Sequence, residues 1–401
     1  MEMRGGGHRF DGIICIGGED WWYHNRGHFD FQIMRRLARE WPVLFVNSIG
    51  VRFPQPGHGG GGQLIARLRR KLGSLGRGLT HVENGFHVLS PLSVPGSVGQ
   101  AALGWALGPQ IRLAAQRIGI ERPLLWVHCP AGVGLIDGLR PVATVLQRTD
   151  RFEAFPEGDP VALGKAIEDL KQRVDLAVYC NKDLLAEERH QVRRSVLVTH
   201  GVDFDAFAGA GDAPASAAPV DIAAVPSPRV GFIGGIDAHT FDPELFLEVA
   251  RRLGNVHFAM IGGCSLREGW CPHANVHFLG RKPYEQIPAY MAACDALIMP
   301  WNRSDWIKGC NPIKLKEYLA VGRPVVTTSF PALEPYRDLV RVADTPEGFA
   351  EAVRRALTFP RNAAGQRERV RRESWDAKAA QVREALLDLA LPSTRPSRRA
   401  A

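Results

Sequence analysis

No stretch of this sequence approaches the roughly 18 uninterrupted apolar residues of a membrane-spanning helix. The opening "MEMRGGGHRF" has no apolar core of signal-peptide length. A cytoplasmic, non-spanning protein is therefore expected. Cysteine is sparse, seven in 401 residues, an odd number without a CxxC pair, which excludes a disulfide framework and suits a reducing compartment. The dinucleotide fingerprint GxGxxG is missing from "IGGED", "FIGGID" and "MIGGCS" alike, which argues against an NAD-dependent enzyme. His257, Cys264, Cys271, His273 and His277 lie close in sequence, but their spacing fits no standard zinc site.

Acidic residues are absent between Glu40 and Glu83, an interval that holds Arg52, Arg67, Arg69, Arg70, Lys71 and Arg77. With a net charge of +8, an anionic partner is expected: nucleic acid, anionic lipid or a phosphorylated substrate. Within the patch, "QLIARLRRKLGSLGRGL" spaces Leu64, Ile65, Leu68, Leu72 and Leu75 at helical intervals. Such a basic amphipathic helix suits peripheral contact with an anionic membrane. The alternative is a solvated helix that packs its leucines on its own domain. Nucleic acid is disfavoured, since the patch has no interleaved aromatics and no recognition motif occurs.

What is present is an ordinary globular composition, 45% hydrophobic and 23% charged, in a chain long enough for two domains. Strand-like runs alternate with helical stretches: "GIICIG", "VLFVN", "PLLWVHC", "VATVLQ", "VDLAVYC" and "SVLVTH", then "RVGFIGG", "VHFAMIG", "NVHFLG", "DALIMP" and "RPVVTT". The fold class is α/β, with one doubly wound sheet in each half. Residues 1–207 form the first domain and 229–391 the second, closed by the helical "SWDAKAAQVREALLDLA". The Ala/Pro-rich 208–228 reads as a linker and 392–401 as a disordered tail. Ligands of such sheets bind beyond the strand carboxyl ends, so two domains facing across a cleft would share a site.

The most informative segment is "GCNPIKLKEYLAVGRPVVTT". Asn311 suits an N-cap and Pro312 the first helical position, with Leu315, Tyr318 and Leu319 as a buried face and Gly322 as the breaker. The helix amino terminus offers free N–H donors to a diphosphate. Lys314, at the third position, opposes the helix dipole unless an anion is near. Glu317 shares its face, and a surface pair between the two is the plain alternative.

Together with "NVHFLGRKPYEQIPAYMAACDALIMP", this segment resembles the donor-binding region of the retaining family 4 (group 1) glycosyltransferases, and it is closer to a polysaccharide and cell-envelope subgroup. The resemblance implies a GT-B fold and a nucleoside diphosphate sugar donor. It places the diphosphate at Asn311, Pro312, Ile313 and Lys314, the ribose on Glu317, and the base near Gly280 and Arg281. Two departures stand out. Gly309 occupies the position of a second glutamate, and Gly234-Gly235 stands where an arginine is usual, which leaves Lys314, Lys308, Arg303 and Lys282 as candidate phosphate cations. No DxD-type donor-metal motif is evident, and neither a metal nor a cofactor is expected.

In the first half, Gly17 and Gly18 end a strand and resemble the glycine turn that admits the donor phosphate and sugar. His128, in "LLWVHCP", resembles a strand-end histidine that positions the donor sugar. His24, Arg26 and His28 precede a helix on the acceptor side, where a glycan or lipid-linked acceptor would bind. Rival readings are a GT-B-shaped epimerase or phosphorylase and a non-catalytic nucleotide-sugar-binding protein.

Overall fold

The computed structural model describes residues 10–23, 26–49, 73, 76–92, 100–154, 159–238, 240–304, 307, 310–359 and 362–390. Outside them lie His24, Lys308, Gly309, the tail 392–401 and most of the basic patch, from Arg52 to Lys71. The chain divides into two units, Met1–Thr199 with Lys378–Ala401, and His200–Ala377.

The first unit is built on strands β1 (Gly12–Ile16), β2 (Val43–Val46), β3 (Leu79–Glu83), β4 (Phe86–Leu89), β5 (Pro123–Val127), β6 (Ala143–Arg148), β7 (Leu176–Tyr179) and β8 (Ser195–Leu197). Their order across the sheet is β3-β4-β2-β1-β5-β6-β7-β8. All pairings among them are parallel except the β3–β4 hairpin. β1, β2, β5, β6 and β7 are buried at every position, which is why they read as continuous apolar runs without alternation. The hairpin was not anticipated, although its turn is Asn84-Gly85 with Gly85 at φ +73°, the dipeptide that favours two-residue connections.

The second unit holds β9 (Arg229–Ile233), β10 (His257–Ile261), β11 (Val276–Gly280), β12 (Ala296–Met299), β13 (Val325–Thr327) and the short β14 (Arg341–Val342). Their order is β11-β10-β9-β12-β13-β14, all parallel. Both sheets are doubly wound. The order reverses between β1 and β5 and again between β9 and β12, and a reversal leaves a crevice at the carboxyl ends of the two strands.

Residues 208–228 are not a loose linker. Helices Phe204–Asp212 and Val220–Ala223 fold there, and Phe207 and Ile222 lie in the core of the second unit with Val202 and Ile233. The few apolar residues among the alanines suffice to dock the segment, and Gly211 lets it close onto the Val321 carbonyl, 2.1 Å from where a Cβ would stand. The closing helix Trp375–Ala390 is present as expected, but from Lys378 onward it groups with the first unit. There Arg383 Nε pairs with Glu40 at 2.6 Å and Arg194 donates to the Asp388 carbonyl at 2.9 Å.

Arg148, at the end of β6, is fully buried. Its guanidinium donates to Glu188 at 2.8 and 3.1 Å, to Glu153 at 2.7 and 3.0 Å, and to the Asp150 carbonyl at 2.8 Å. These bonds fix the loop that follows β6. Arg148→Met would leave Glu153 without its cation and the buried Glu188 with Lys171 alone, at 3.1 Å, and should destabilise the first unit by about 3–5 kcal/mol. Urea denaturation measures this, and a loss under about 1 kcal/mol would show that the network is dispensable.

Candidate functional site

In the second unit the crevice lies between β9 and β12, and helix Ile313–Val321 points its amino terminus at it. The cap is Pro312 and not Asn311, so Lys314 is the second helical residue and not the third. Gly322 at φ +75° ends the helix as expected. Lys314 is half-buried and reaches back over the loop after β9: a Cβ on Gly234 would stand 2.0 Å from its Nζ, and Nζ lies 5.4 Å from the Phe232 ring centre. Gly234 thus makes room for the lysine. Burial lowers the Lys314 pKa against the pull of Glu317, Asp237 and Cys310. Among the described residues Lys314 has no ion-pair partner within 4.0 Å.

Glu317 is buried, contrary to its expected place on a partly exposed face, and it does not form a surface pair with Lys314. Leu315, Lys316, Tyr318, Leu319, Ala320 and Val321 are buried as well, so no face of the helix beyond its first turn is left to solvent. Tyr284 donates to Glu317 Oε1 at 3.1 Å. Burial, only partly offset by Tyr284 and Lys314, pushes the Glu317 pKa up to about 7. A lysine shifted down and a carboxyl shifted up, side by side at a strand-end crevice, mark a site that lacks counter-charge.

The other donor-side residues meet here in part. Gly280 has φ +69° and its carbonyl accepts from Gly262 N at 2.9 Å. The Arg281 guanidinium lies against Gly263, with Nε 2.5 Å from where a Cβ would be. Gly235 sits against Asp237. Two of the candidate cations are otherwise engaged: Lys282 pairs with Asp221 at 2.5 Å, and Arg303 faces Asp344 at 3.7 Å. Asp203 and Asp205 do have DxD spacing; Asp203 stands at the N-cap position of helix Phe204–Asp212 without a side-chain capping bond, and Asp205 is exposed on its first turn. Of the considered zinc ligands, His257 Nδ1 and His277 Nε2 lie 3.0 Å apart. Among the described residues no group of three or more His, Cys, Asp or Glu could hold a metal.

In the first unit the crevice lies between β1 and β5. His128 N and Cys129 N donate to the Ile16 carbonyl at 3.1 and 3.2 Å, which sets the histidine beside Gly17 and Gly18. A Cβ on Gly18 would be 2.7 Å from the imidazole, and one on Gly17 would be 2.2 Å from Phe45. Both glycines are therefore steric requirements. His128 Nδ1 bonds Asp30 Oδ2 at 2.9 Å, and Nε2 lies 3.2 Å from Thr149 Oγ1. Asp30 is fully buried at the start of helix Phe29–Leu37, where it also accepts from its neighbour Phe31 N at 2.9 Å. Sequence reasoning missed Asp30, because an aspartate in a first helical turn reads as a dipole partner. Burial alone would lower the His128 pKa, yet Asp30, Asp150 and Glu19 raise it. Burial alone would raise that of Asp30, yet His128 and His28 lower it. Arg26 stacks on Trp21 at 5.1 Å, and the exposed His28 is the N-cap residue of the helix.

Residues 227–358, which lie within the second unit, match the family model described as glycosyl transferases group 1. TuaH of Bacillus subtilis strain 168, to which a glycosyltransferase step in teichuronic acid biosynthesis is ascribed, is 28% identical over 203 residues. That match covers 46% of this chain and 49% of the relative, so the chain spans about half the length of the curated relative it matches. Among solved structures, HepE of Anabaena in complex with UDP and glucose superposes with a TM-score of 0.61 at 14% identity, covering 94% of this chain and 99% of that one. A trehalose-phosphate synthase from Burkholderia vietnamiensis gives 0.61 at 13% identity, over 95% and 99%. A glycosyltransferase from Rickettsia africae gives 0.63 at 11%, over 96% and 100%. At these identities the likeness establishes the fold, which is of the GT-B class.

The Asp30–His128 pair makes a testable statement about protonation. A raised histidine pKa contributes stability that is complete below the unfolded value and lost as pH rises through the folded one. A depressed aspartate contributes above its unfolded value. The pair is therefore worth most between about pH 4 and 6.5. Asp30→Asn should lower the His128 pKa, read by NMR titration of the imidazole, and remove this stability window. An unchanged titration would show that Asp30 does not hold the imidazole.

Proposed function

We propose that the chain is a glycosyltransferase that moves a sugar from a nucleoside diphosphate sugar to a hydroxyl acceptor in polysaccharide or cell-envelope glycan synthesis, with retained anomeric configuration. The observation that carries the reading is the unneutralised Lys314–Glu317 pair at the amino terminus of helix Ile313–Val321. The donor diphosphate would accept from the first-turn N–H groups and from Lys314. The ribose hydroxyls would donate to Glu317. During transfer the same amides and lysine would stabilise the departing diphosphate, and His128, held by Asp30, would position the sugar. Gly280 and Arg281 would hold the base.

The relatives support this reading by what is said of them. TuaH is ascribed a cell-envelope glycan step and HepE binds UDP and glucose, so UDP-sugars are the first donors to test. The acceptor would be a glycan or a lipid-linked sugar, with His28 and Arg26 near its path. Because the helix terminus and Lys314 supply the positive charge, no resident metal is required. Transfer should then survive chelation, and activity restored only by added Mg²⁺ or Mn²⁺ would refute that point. Turnover also separates the rivals: a binding protein would show none, an epimerase would isomerise the free donor, and a phosphorylase would need phosphate.

The free protein holds Glu317 protonated below about pH 7, whereas ribose hydroxyls favour the carboxylate. UDP affinity should therefore rise as pH climbs through about 7, and Glu317→Gln should flatten that rise. The same change should weaken binding roughly 10- to 100-fold, since a hydrogen bond to a charged group is worth about 1.5–3 kcal/mol. Calorimetry on both forms decides it, and equal affinities with equal pH slopes would remove Glu317 from the site.

A further inference from the structure

One face of the first unit has no part in this chemistry. Helix Gln100–Arg117 is seated by glycines: a Cβ on Gly104 would stand 2.2 Å from the Gly134 carbonyl oxygen, and one on Gly108 would meet Gly138 at 3.9 Å. Leu107, Ile111, Ala114 and Ala115 go into the core. The opposite side is left outward, with Trp105 84% exposed and Leu113 50% exposed. Leu92, 69% exposed, joins the same face, because the Gln110 side chain accepts from its N–H at 3.0 Å and donates to its carbonyl at 3.3 Å. Leu92 and Leu113 thus flank Gln110, with Trp105 further along the outward side of the helix and Arg117 and Arg112 exposed nearby, the latter also donating to the Gly138 carbonyl.

In sequence, the charge of this stretch has one sign. Helix Gln100–Arg117 contains no acidic residue, and residues 41–120 hold eight Lys or Arg against the single carboxylate of Glu83. That carboxylate is already bonded to Arg35 at 2.6 and 2.9 Å. We propose that the Leu92, Trp105 and Leu113 face docks on an anionic lipid bilayer. The indole would sit at the headgroup level, the leucines at the acyl boundary, and Arg112 and Arg117 among lipid phosphates. An extended run of one charge suits a continuous anionic surface better than the mixed rim of a protein interface. The proposal stands independently of the transferase reading.

The full chain is sedimented with vesicles of phosphatidylcholine alone and with 30% phosphatidylglycerol. The wild type should bind the anionic vesicles and lose binding as salt is raised. The triple variant L92S/W105S/L113S should bind them at least tenfold more weakly, with an unchanged cooperative thermal unfolding transition as the check on folding. Trp105→Glu alone, at an exposed position, should have the same direction of effect. Equal binding by wild type and variants, or equal binding to neutral vesicles, would overturn the proposal. So would absence of wild-type binding at low salt, or a wild type that self-associates through this face by sedimentation equilibrium while the triple variant is monomeric.

Discussion

The hydroxyl of Tyr318 is the bond on which the second unit turns. β9 and β12 pair only at Ala296 with Val230 and at Leu297 with Gly231. Beyond that the two strands part, as neighbours must at a reversal of strand order, and the Ile233 N–H would be buried without a partner. Tyr318 accepts from it at 2.9 Å and donates to the Ile298 carbonyl at 3.4 Å. One side chain therefore satisfies the diverging strands and pins helix Ile313–Val321 between them. Lys316 extends the anchoring by bonding the His200 carbonyl and pairing with Glu373, which also accepts from Tyr336. With the helix held on several sides, Lys314 and Glu317 have little freedom to reach water.

That constraint explains the electrostatics. A lysine on a free helix terminus would swing outward and stay fully charged. Here it lies over Gly234 and Phe232, and burial acts on it and on Glu317 in the directions that weaken both charges. Anchoring by Tyr318 and Lys316 offsets this cost. A negative charge brought near Lys314 would favour its charged form against that burial.

The strands of both sheets were legible because a buried parallel strand is a short apolar run, and such runs are hard to disguise. The β3–β4 hairpin escaped although Asn84-Gly85 advertises it, since "LTHVE" alternates too weakly to attract notice. Residues 208–228 misled through composition: alanine and proline suggest a tether, yet burial was decided by Phe207 and Ile222. Helix Ile313–Val321 was legible as a helix, but not the burial of Glu317. Periodicity shows which face is apolar and says nothing of what a neighbouring loop lays over the other face, here Tyr284. Asp30 was invisible for the same reason, its partner being 98 residues away.

Each unit uses the same device, glycines after the first strand and a basic side chain beside them, but the acidic surroundings of the two differ. At the β9–β12 crevice the side chain over the glycines is Lys314, with one carboxyl shifted toward neutrality. At the β1–β5 crevice it is His128, with Asp30 bonded to it and Asp150 and Glu19 close enough to raise its pKa. Three carboxylates around one imidazole make a poor seat for a phosphate. Burial raises the Asp150 pKa as well, against the opposing pull of His128, Thr149, His28 and Arg148. The basic character of the chain as a whole is thus not what surrounds His128, where Asp30, Asp150 and Glu19 all act to raise its pKa.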